Sequence, residues 1–363
     1  MQMDTVSRGL EHAFVRAGVR SMQGYVPGEQ SEQLDVIKLN TNENPYPPAP
    51  SVMEALRAVS ADALRRYPPP MSHGLRQCVA RIYDFPVSGV FCGNGSDEIL
   101  ALCTRAFVEK GRKIGYFDPS YSLYPVLATI AESDTVEVVL GDAFGWVDPP
   151  LDAGMDLFFL TNPNAPTGML FPMEKVEAFC ARFDGVVLID EAYVDFAVSD
   201  CLALARRYPN VVVSRSLSKS YSLAGLRVGY ALGAPALIAA LDKIKDSYNL
   251  DIVAQQLAVA ALTDQAYMHD CVQRVCNTRL WFEKEMQARG FALYPSETNF
   301  VWCKPPASIS AQAYVDALRQ RNILIRYFSA ARLAPFVRIT IGLDTQMEQL
   351  IKETDAILEA SHG

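Results

Sequence analysis

The sequence predicts an α/β fold with a mostly parallel central sheet in a large domain and a smaller α+β domain beside it. Seven short runs of β-branched and aromatic residues alternate with segments whose apolar residues recur at helical spacing. Strands that alternate with helices favour a parallel sheet, and continuous apolar runs are typical of strands that are buried on both faces. The seven runs are 89–92, 113–117, 135–140, 156–160, 186–189, 211–213 and 228–231.

The pattern changes after Leu250, and this change indicates a second domain. A long helical stretch at 251–289 precedes strand-like residues at 298–302, a helix near 310–320, and strand-like runs at 323–326 and 337–341. A chain of 363 residues also exceeds what one hydrophobic core usually serves. We predict an N-terminal arm and part of the small domain at 1–40, a large domain at 41–264 entered through the Pro-rich stretch 45–50, and the C-terminal small domain at 265–363.

Composition and charge exclude several classes of protein. The formal net charge of -8 argues against a nucleic-acid binder, because a phosphate backbone demands a basic surface. No apolar run approaches the ~20 residues that cross a bilayer, and the first residues lack the pattern of a secretory signal. The eight cysteines contain no C-x-x-C pair and the four histidines lie far apart, so we expect reduced thiols and no histidine metal site. These features favour a cytoplasmic enzyme.

Loops after the predicted strands carry the candidate chemistry, because ligands of open α/β sheets bind beyond the carboxyl ends of the strands. The first loop, 92–98 (CGNGSDE), has two glycines for a tight turn and a serine, Ser96, that can cap the next helix. Asp97 and Glu98 would lie in the first turn of that helix. Free backbone N–H groups at such a helix start can bind a phosphate. A well-capped helix whose acidic residues complement its dipole is the alternative interpretation.

Two further loops follow apolar strands. In the loop 161–168 (TNPNAPTG) two prolines favour an extended, rigid chain, and a simple connector is the alternative. Asp190 and Glu191 end the strand at 186–189, where a buried carboxylate needs a partner because an unpaired buried charge is costly. A metal, a salt bridge or a cationic ring nitrogen would serve. A surface position at the strand end is the alternative, chiefly for Glu191.

The fourth loop contains an isolated lysine. In 214–227 (SRSLSKSYSLAGLR), Lys219 lies among small hydroxyl residues, and Arg227 follows eight positions later. Desolvation lowers the pKa of a lysine and makes its amine a usable nucleophile, and an arginine fork suits a phosphate. A surface lysine is the alternative. Together the four loops supply an amine, a buried acid and phosphate anchors, which is the set that pyridoxal phosphate requires.

With these motifs in this order, the sequence resembles the fold-type I pyridoxal-phosphate aminotransferases, and among them the histidinol-phosphate aminotransferase family. The similarity runs from about Tyr25 to Gly342. Lysine followed eight residues later by arginine is typical of the superfamily. The Asn-Glu-Asn-Pro and Arg-Tyr-Pro elements narrow the resemblance to the histidinol-phosphate aminotransferase family. The matching motifs are 24–28, 39–45, 66–68, 93–98, 118–121, 162–168, 190–193, 216–219, 224–227 and 337–342.

The resemblance implies a role for each matching residue at the cofactor. Lys219 would form the internal aldimine and then move the proton of the reaction. Asp190 would pair with the pyridinium nitrogen, Tyr193 would hydrogen-bond the phenolic oxygen of the ring, and Tyr121 would stack on the ring. The implied phosphate ligands are Gly95, Ser96, Asp97, Ser216, Ser218 and Arg227, with Tyr67 reaching the phosphate of the neighbouring subunit in a homodimer.

The resemblance also implies the substrate pocket and shows one departure from the family pattern. Tyr25 and Asn42 would line the pocket, Arg326 would bind the substrate phosphate, and Arg338 would bind a carboxyl-type end. The asparagine that usually precedes Pro-Thr-Gly and contacts the ring oxygen is Ala165 here. Asn164 is the candidate replacement, with Asn162, or Tyr193 acting alone, as the other options.

The resemblance implies a ping-pong transamination in which glutamate gives its amine and leaves as 2-oxoglutarate. An imidazole-acetol phosphate then takes the amine, so that histidinol phosphate is the amine partner in the reverse direction. An aromatic amino acid aminotransferase, or a decarboxylase of threonine-phosphate type, would use the same fold. A non-catalytic cofactor-binding regulator is a different class of protein. It is disfavoured by the acidic charge and by the lack of a DNA-binding segment before Tyr25.

Overall fold

The computed structural model describes residues 14–22, 24–25, 28–30 and 35–362. Residues 1–13, 23 and 31–34 of the predicted arm, and residues 26–27 of the motif at 24–28, lie outside the described residues. The strands are β1 (Ile37–Leu39), β2 (Val90–Gly93), β3 (Lys113–Asp118), β4 (Asp134–Val139), β5 (Met155–Thr161), β6 (Val186–Asp190), β7 (Val211–Ser216), β8 (Gly229–Gly233), β9 (Ala292–Leu293), β10 (Phe300–Lys304), β11 (Ile323–Tyr327) and β12 (Val337–Thr340).

The larger sheet contains seven strands in the order β2-β8-β7-β6-β5-β3-β4. Only β8 runs antiparallel to its neighbours, so the predicted mostly parallel sheet is confirmed. All seven apolar runs of the sequence become strands of this sheet. Continuous burial was wrong for β4, where Val138 alone is buried, because β4 lies at the edge of the sheet and alternates apolar with polar residues.

Helices cover both faces of the larger sheet. In β5, Leu157 and Phe159 pack on one face with α5, α6 and α9, while Phe158 and Leu160 pack on the other. This alternation follows from the two-residue period of a strand. The helices are α1 (Ala17–Ser21), α2 (Pro50–Arg57), α3 (Ala61–Leu64), α4 (His73–Ile82), α5 (Gly95–Phe107), α6 (Leu123–Ile130), α7 (Met173–Arg182), α8 (Leu202–Arg207), α9 (Pro235–Ile244), α10 (Ile252–Thr263), α11 (Gln265–Ala288), α12 (Ala311–Arg319) and α13 (Asp344–His362).

The smaller sheet has five strands in the order β1-β11-β12-β10-β9, so it combines N- and C-terminal segments. β1 pairs parallel with β11, and the other neighbours are antiparallel. The predicted helical stretch 251–289 is two helices, because the Asp264 side chain accepts from the Tyr267 N–H and caps α11. The domain boundary between 264 and 265, which remains a prediction, falls at this break.

Two side chains join the sheets beside the strand ends. Phe144, in the loop after β4, is buried against the rings of Tyr294 and Phe336 of the smaller unit, at centroid distances of 5.2 and 5.5 Å. Arg332, in the loop between β11 and β12, donates to the carbonyl oxygens of Asp118, at 3.1 Å, and Gly141, at 2.8 Å, and lies over the Phe144 ring. This Arg332–Phe144 clamp holds the smaller sheet against the carboxyl ends of β3 and β4.

Within the described part of the chain, no helix has both the length and the apolar character needed to cross a membrane. The eight cysteines are free thiols and seven of them are buried.

Candidate active site

A cavity of about 220 Å³ lies between the carboxyl ends of the larger sheet and one end of the smaller sheet. The loops after β2, β3, β5, β6 and β7 each contribute to its wall, as expected for an open α/β sheet. Most of the predicted site residues line it together. They are Tyr25, Asn42, Ser96, Asp97, Tyr121, Asp190, Tyr193, Ser216, Ser218, Lys219, Arg227, Arg326 and Arg338.

Lys219 follows β7 and points its amine into the cavity. Its Nζ donates to the Thr41 carbonyl oxygen at 3.2 Å, and among the described residues it forms no ion pair. The turn is held by the Asn44 side chain, which donates to the carbonyl oxygens of Lys219 and Ser220 at 3.0 and 3.2 Å. Burial, with repulsion from Arg338 as the next cause, lowers the Lys219 pKa to about 8. A substantial fraction of this amine is therefore neutral near physiological pH, as a nucleophile requires.

Asp190 ends β6 with only 3% of its surface exposed. Its carboxylate faces the Ala192 N–H at 3.2 Å, the Tyr124 hydroxyl at 3.3 Å and the Ser214 hydroxyl at 3.4 Å. Burial, reinforced by repulsion from Asp97, raises the Asp190 pKa to about 7. No cationic side chain of the described residues pairs with it, so a bound cation would relieve the cost of burying this charge.

Glu191 does not occupy the surface position at the strand end that was the alternative interpretation for it. Its side chain is buried on the opposite side of the chain from Asp190, where its carboxylate pairs with Arg215 at 2.8 Å. Arg215 also reaches Asp200 at 2.9 Å. The salt bridge considered for this carboxylate pair therefore belongs to Glu191. Among the described residues, no group of three His, Cys, Asp or Glu side chains could hold a metal ion.

An anion-binding corner lies where α5 begins. Arg227 donates to the Ser218 hydroxyl and the Ala224 carbonyl, each at 3.2 Å, and pairs with Asp97 at 3.4 Å. Ser216 lies beside them and its hydroxyl accepts from the Ser218 N–H at 3.1 Å. The first N–H groups of a helix have no intrahelical acceptor, so together with Arg227 they form a suitable site for a phosphate.

The start of α5 differs from the sequence prediction in one residue. The helix begins at Gly95 with Asn94 as its N-cap residue, so Ser96 lies in the first turn and the prediction that it caps the helix was wrong. The Glu98 carboxylate accepts from the Asn94 N–H and stabilises this start. Gly95 does not line the cavity, but it lies directly behind Arg227.

The aromatic wall of the cavity is connected by hydrogen bonds. Tyr193 accepts from the Asn42 side chain at 2.9 Å, and Tyr121 donates to Asp97 at 3.1 Å. Tyr25 meets Tyr121 edge to face, with ring centroids 5.7 Å apart. Burial raises the pKa of both Tyr193 and Tyr121, so these phenols remain protonated donors.

Two arginines form the wall contributed by the smaller sheet. Arg326 on β11 and Arg338 on β12 are directly opposite partners, and both guanidinium groups lie by the Phe328 ring, at 5.2 and 5.6 Å. Arg338 donates to the Asn40 carbonyl at 3.2 Å, while its buried Nε has no hydrogen-bond partner. Like charges opposite each other in a sheet are destabilising, so this wall favours an anionic ligand.

Two predicted site residues lie outside the cavity wall. Asn164 is fully buried behind it, where its amide donates to the Pro119 carbonyl at 3.0 Å and the Thr167 hydroxyl at 2.9 Å. Tyr67 is 81% exposed and stacks on Tyr248 with ring centroids 4.5 Å apart. Their predicted roles remain predictions.

Sequence reasoning missed several residues of the wall. Glu43, which binds Lys38 at 2.6 Å, lies inside the Asn-Glu-Asn-Pro motif and could have been found there. Phe328 is two residues after Arg326, so the strand period places both on one face. Thr41 and Pro166 lie inside the motifs 39–45 and 162–168 and could have been found in the same way, whereas Ser122 carried no comparable signal.

Comparison with known proteins agrees with this geometry. A family model described as Aminotransferase class I and II matches residues 34–353. The histidinol-phosphate aminotransferase of Syntrophotalea carbinolica is 46% identical over 338 residues, covering 93% of this chain and 97% of that protein. That of Geobacter sulfurreducens is 46% identical over 343 residues, covering 92% and 96%.

A solved structure extends the similarity to the fold. The crystal structure of histidinol-phosphate aminotransferase from Sinorhizobium meliloti, in complex with pyridoxal-5'-phosphate, has a TM-score of 0.86 and 28% identity to this chain, covering 96% of this chain and 98% of that one. The sequence resemblance and the predicted fold class are thereby confirmed. The chain belongs to the histidinol-phosphate aminotransferase family, within the aminotransferases of class I and II.

Proposed function

We propose that this protein is a pyridoxal-phosphate-dependent aminotransferase that exchanges the amine of histidinol phosphate with 2-oxoglutarate in histidine biosynthesis. The observation that carries the proposal is one cavity in which a desolvated amine, Lys219, and a buried carboxylate without a cationic partner, Asp190, lie opposite a pair of arginines. Both relatives compared above are named histidinol-phosphate aminotransferase, and the similarity covers nearly the whole length of each.

The residues present fit pyridoxal phosphate. Asp190 is the buried acid that a cationic ring nitrogen would neutralise, and Lys219 is an amine whose lowered pKa makes its neutral form available to an aldehyde. The corner formed by Arg227, Ser216, Ser218 and the start of α5 would hold the phosphate, with Gly95 leaving room for the guanidinium. Tyr121 would pack on the ring, and Tyr193 would hydrogen-bond its phenolic oxygen.

The chain's own residues would perform the proton chemistry. Pyridoxal phosphate, when bound, supplies an aldehyde for the amine and a cationic ring that accepts the electrons released at the substrate Cα. Lys219 Nζ would remove the Cα proton and return it to the neighbouring carbon, as a general base with a pKa near the working pH. The Asp190 carboxylate would accept a hydrogen bond from the protonated ring nitrogen and so keep that nitrogen cationic.

The arginine pair would select substrates by charge. Arg326 would bind the phosphate of histidinol phosphate, and Arg338 would bind a carboxylate of glutamate or 2-oxoglutarate in the other half of the ping-pong cycle. An arginine fork matches both kinds of anion bidentately. Tyr25 and Asn42 would line the same pocket.

We also propose a cytoplasmic homodimer in which Tyr67 reaches the phosphate site of the partner subunit. Tyr67 lies outside its own cavity, and large apolar side chains near it in the sequence, including Leu64 and Met71, are exposed as well. The free thiols of all eight cysteines suit a reducing compartment. Sedimentation of the wild type and of Tyr67→Ala, with activity measured at each concentration, tests the dimer.

The decisive experiment follows the visible absorbance of the cofactor while single substrates are added. Histidinol phosphate is expected to convert the aldehyde form to the amine form, and 2-oxoglutarate to restore it. Faster conversion by phenylalanine would make the protein an aromatic amino acid aminotransferase. Release of carbon dioxide would make it a decarboxylase, and the absence of any bound chromophore would refute the cofactor assignment.

Replacing Arg326 with glutamine is expected to raise KM for histidinol phosphate by about 10- to 100-fold, because a charge-assisted hydrogen bond to the phosphate is lost. KM for histidinol, which lacks the phosphate, should change little. Steady-state kinetics with both amines measure the difference. Arg105→Gln, an exposed arginine on α5, is the control. An equal loss for both amines would contradict the assigned role of Arg326.

Replacing Gly95 with alanine is expected to weaken cofactor binding by about tenfold or more. Gly95 has a φ of +77°, and a Cβ there would lie 2.5 Å from Arg227 Nη2, so the guanidinium must leave its position. Titration of cofactor-free protein with pyridoxal phosphate measures the change. Gly225→Ala, in the loop that carries Arg227, meets nothing within 4 Å and is the matched control. Unchanged affinity for the cofactor in Gly95→Ala would mean that Arg227 does not bind the phosphate.

A further inference from the structure

A chain of hydrogen-bonded side chains runs behind the cavity wall from Asn164 to Asp190. Ser120 bonds to the Asn164 amide oxygen at 3.1 Å and to the Thr161 hydroxyl at 3.1 Å. Thr161 in turn bonds to the Tyr124 hydroxyl, and Tyr124 lies 3.3 Å from Asp190 Oδ2. The proposed mechanism uses only the last member of this Asn164–Asp190 chain.

The direction of each hydrogen bond follows from one fixed acceptor. The Pro119 carbonyl can only accept, so it fixes the nitrogen of the Asn164 amide toward itself and leaves the amide oxygen facing Ser120. Ser120 therefore donates its proton to Asn164. Since a hydroxyl has a single proton, the Ser120 oxygen can bond to Thr161 only by accepting from it.

The same count reaches Asp190. The four contacts of the chain need four protons, whereas the hydroxyls of Ser120, Thr161 and Tyr124 supply three. While Asp190 is ionised, Tyr124 donates to its Oδ2 and one of the other contacts is left without a proton. When Asp190 is protonated and donates to Tyr124, all four contacts are hydrogen bonds.

The other neighbours of Asp190 are compatible with this protonated form. Ser214 on β7 and the Ala192 N–H are neutral and face the other oxygen, Oδ1. The titratable groups that act on Asp190 are Tyr124 on α6, Asp97 on α5 and the nearby Tyr193, and none of these is a cation. Burial and Asp97 raise the Asp190 pKa to about 7, although the hydrogen bonds from Tyr124, Ala192 and Ser214 each lower it.

We propose that the Asn164–Asp190 chain favours Tyr124 as an acceptor, so that the cofactor-free protein stores a proton on Asp190 and releases it when the cationic ring of the cofactor binds. The O–H bond of Asp190 breaks and its proton goes to the solvent, because the ring nitrogen of free pyridoxal phosphate already carries a proton, and a carboxylate paired with a cationic ring is left. Tyr124, Thr161, Ser120 and Asn164 are positioning residues that act through Asp190. The release, but not the stored proton, rests on the proposed function.

Infrared spectroscopy of the cofactor-free protein tests the stored proton. The wild type should show the carbonyl band of a protonated carboxylic acid that is absent in Asp190→Asn, with a titration midpoint near pH 7. Thr161→Val removes the acceptor of the Tyr124 proton, which can then turn to Asp190 and stabilise the carboxylate. The midpoint should then fall by about one pH unit. Ser120→Ala breaks the chain one member earlier, at a less buried position, and should shift the midpoint the same way.

A matched tyrosine provides the control. Tyr116 packs beside Tyr124 at 6.0 Å between ring centroids but donates to Glu137, so Tyr116→Phe should leave the midpoint unchanged. An Asp190 that is ionised throughout pH 5 to 7 in the wild type, or a midpoint that does not fall in Thr161→Val and Ser120→Ala, would overturn the proposal.

The second half of the test adds pyridoxal phosphate at pH 6. The acid band of the wild type should disappear as the band of a carboxylate appears, and an acid band that persists in the loaded protein would overturn the release. Failure of the proposed function has a different signature. The chromophore would not form, while the band and its shifts in the cofactor-free variants would remain.

Discussion

Lys219→Ala is expected to reduce transamination by about 10⁴-fold, the largest loss of any single substitution in this protein. The variant loses both the amine that bonds to the cofactor aldehyde and the base that moves the Cα proton. No other lysine lines the cavity among the described residues. Single-turnover absorbance with histidinol phosphate measures the rate, and added methylamine should restore part of it because it supplies a free amine in the cavity.

The pH dependence of cofactor capture provides an independent check on Lys219. Its pKa of about 8 means that about a tenth of the amine is neutral at pH 7. Raising the pH removes the proton, so the rate of chromophore formation by the cofactor-free protein should rise through pH 7 and level off above about 8. A rate that keeps rising to pH 10 would mean an ordinary solvated lysine. Lys243→Ala, on α9, is the control for loss of an unrelated lysine.

Asp190→Asn is expected to lower kcat by about 10²- to 10³-fold while the cofactor still binds, which is the second largest effect. The amide is isosteric but cannot hold the ring nitrogen cationic, so the ring accepts electrons less readily. Lys219 and the corner around Arg227 remain intact. Rapid-mixing absorbance separates this loss of chemistry from any loss of binding.

The stability of Asp190→Asn should move in the opposite direction from its activity. Because burial raises the folded-state pKa of Asp190 to about 7, the carboxylate form destabilises the free protein above that pH. At pH 8 the cofactor-free variant should therefore melt no lower than the wild type. Glu191→Gln is the contrasting neighbour, since breaking its buried pair with Arg215 should cost about 3–5 kcal/mol. A destabilised Asp190→Asn protein would mean that the carboxylate has a structural partner.

The central strands could be predicted from the sequence because each is a continuous apolar run with helical segments on either side. The exposure of edge strand β4 and the first residue of α5 could not be predicted, since both depend on neighbouring residues. The position of β4 in the strand order decides its exposure, and Glu98 binding the Asn94 N–H decides where α5 begins. The division of the stretch 251–289 into two helices at Asp264 could not be predicted either, because the apolar residues keep their helical spacing on both sides of Asp264.

The candidate site followed from the position of polar residues after strands. Lys219, Asp190 and Arg227 could be predicted to meet because the carboxyl ends of parallel strands share one edge of the sheet. The sequence did not show which of Asp190 and Glu191 faces the cavity, because adjacent residues at a strand end point to opposite sides. The structure shows that Glu191 points away from the cavity, where it pairs with Arg215. The burial of Asn164 could not be predicted either, because its partners Pro119 and Ser120 come from a different loop.

The Arg332–Phe144 clamp has a consequence for how the protein melts. Phe144 belongs to the larger unit and packs on aromatic rings of the smaller one, while Arg332 belongs to the smaller unit and bonds to carbonyl groups of the larger one. Neither sheet can therefore lose its order while the contact persists. Because the arginine pair and the lysine lie on different sheets, the cavity between them depends on this contact and on the others that join the two sheets, such as the Asn42–Tyr193 hydrogen bond. Heat should therefore unfold both sheets in one cooperative transition, and no partly melted form should retain the catalytic pocket.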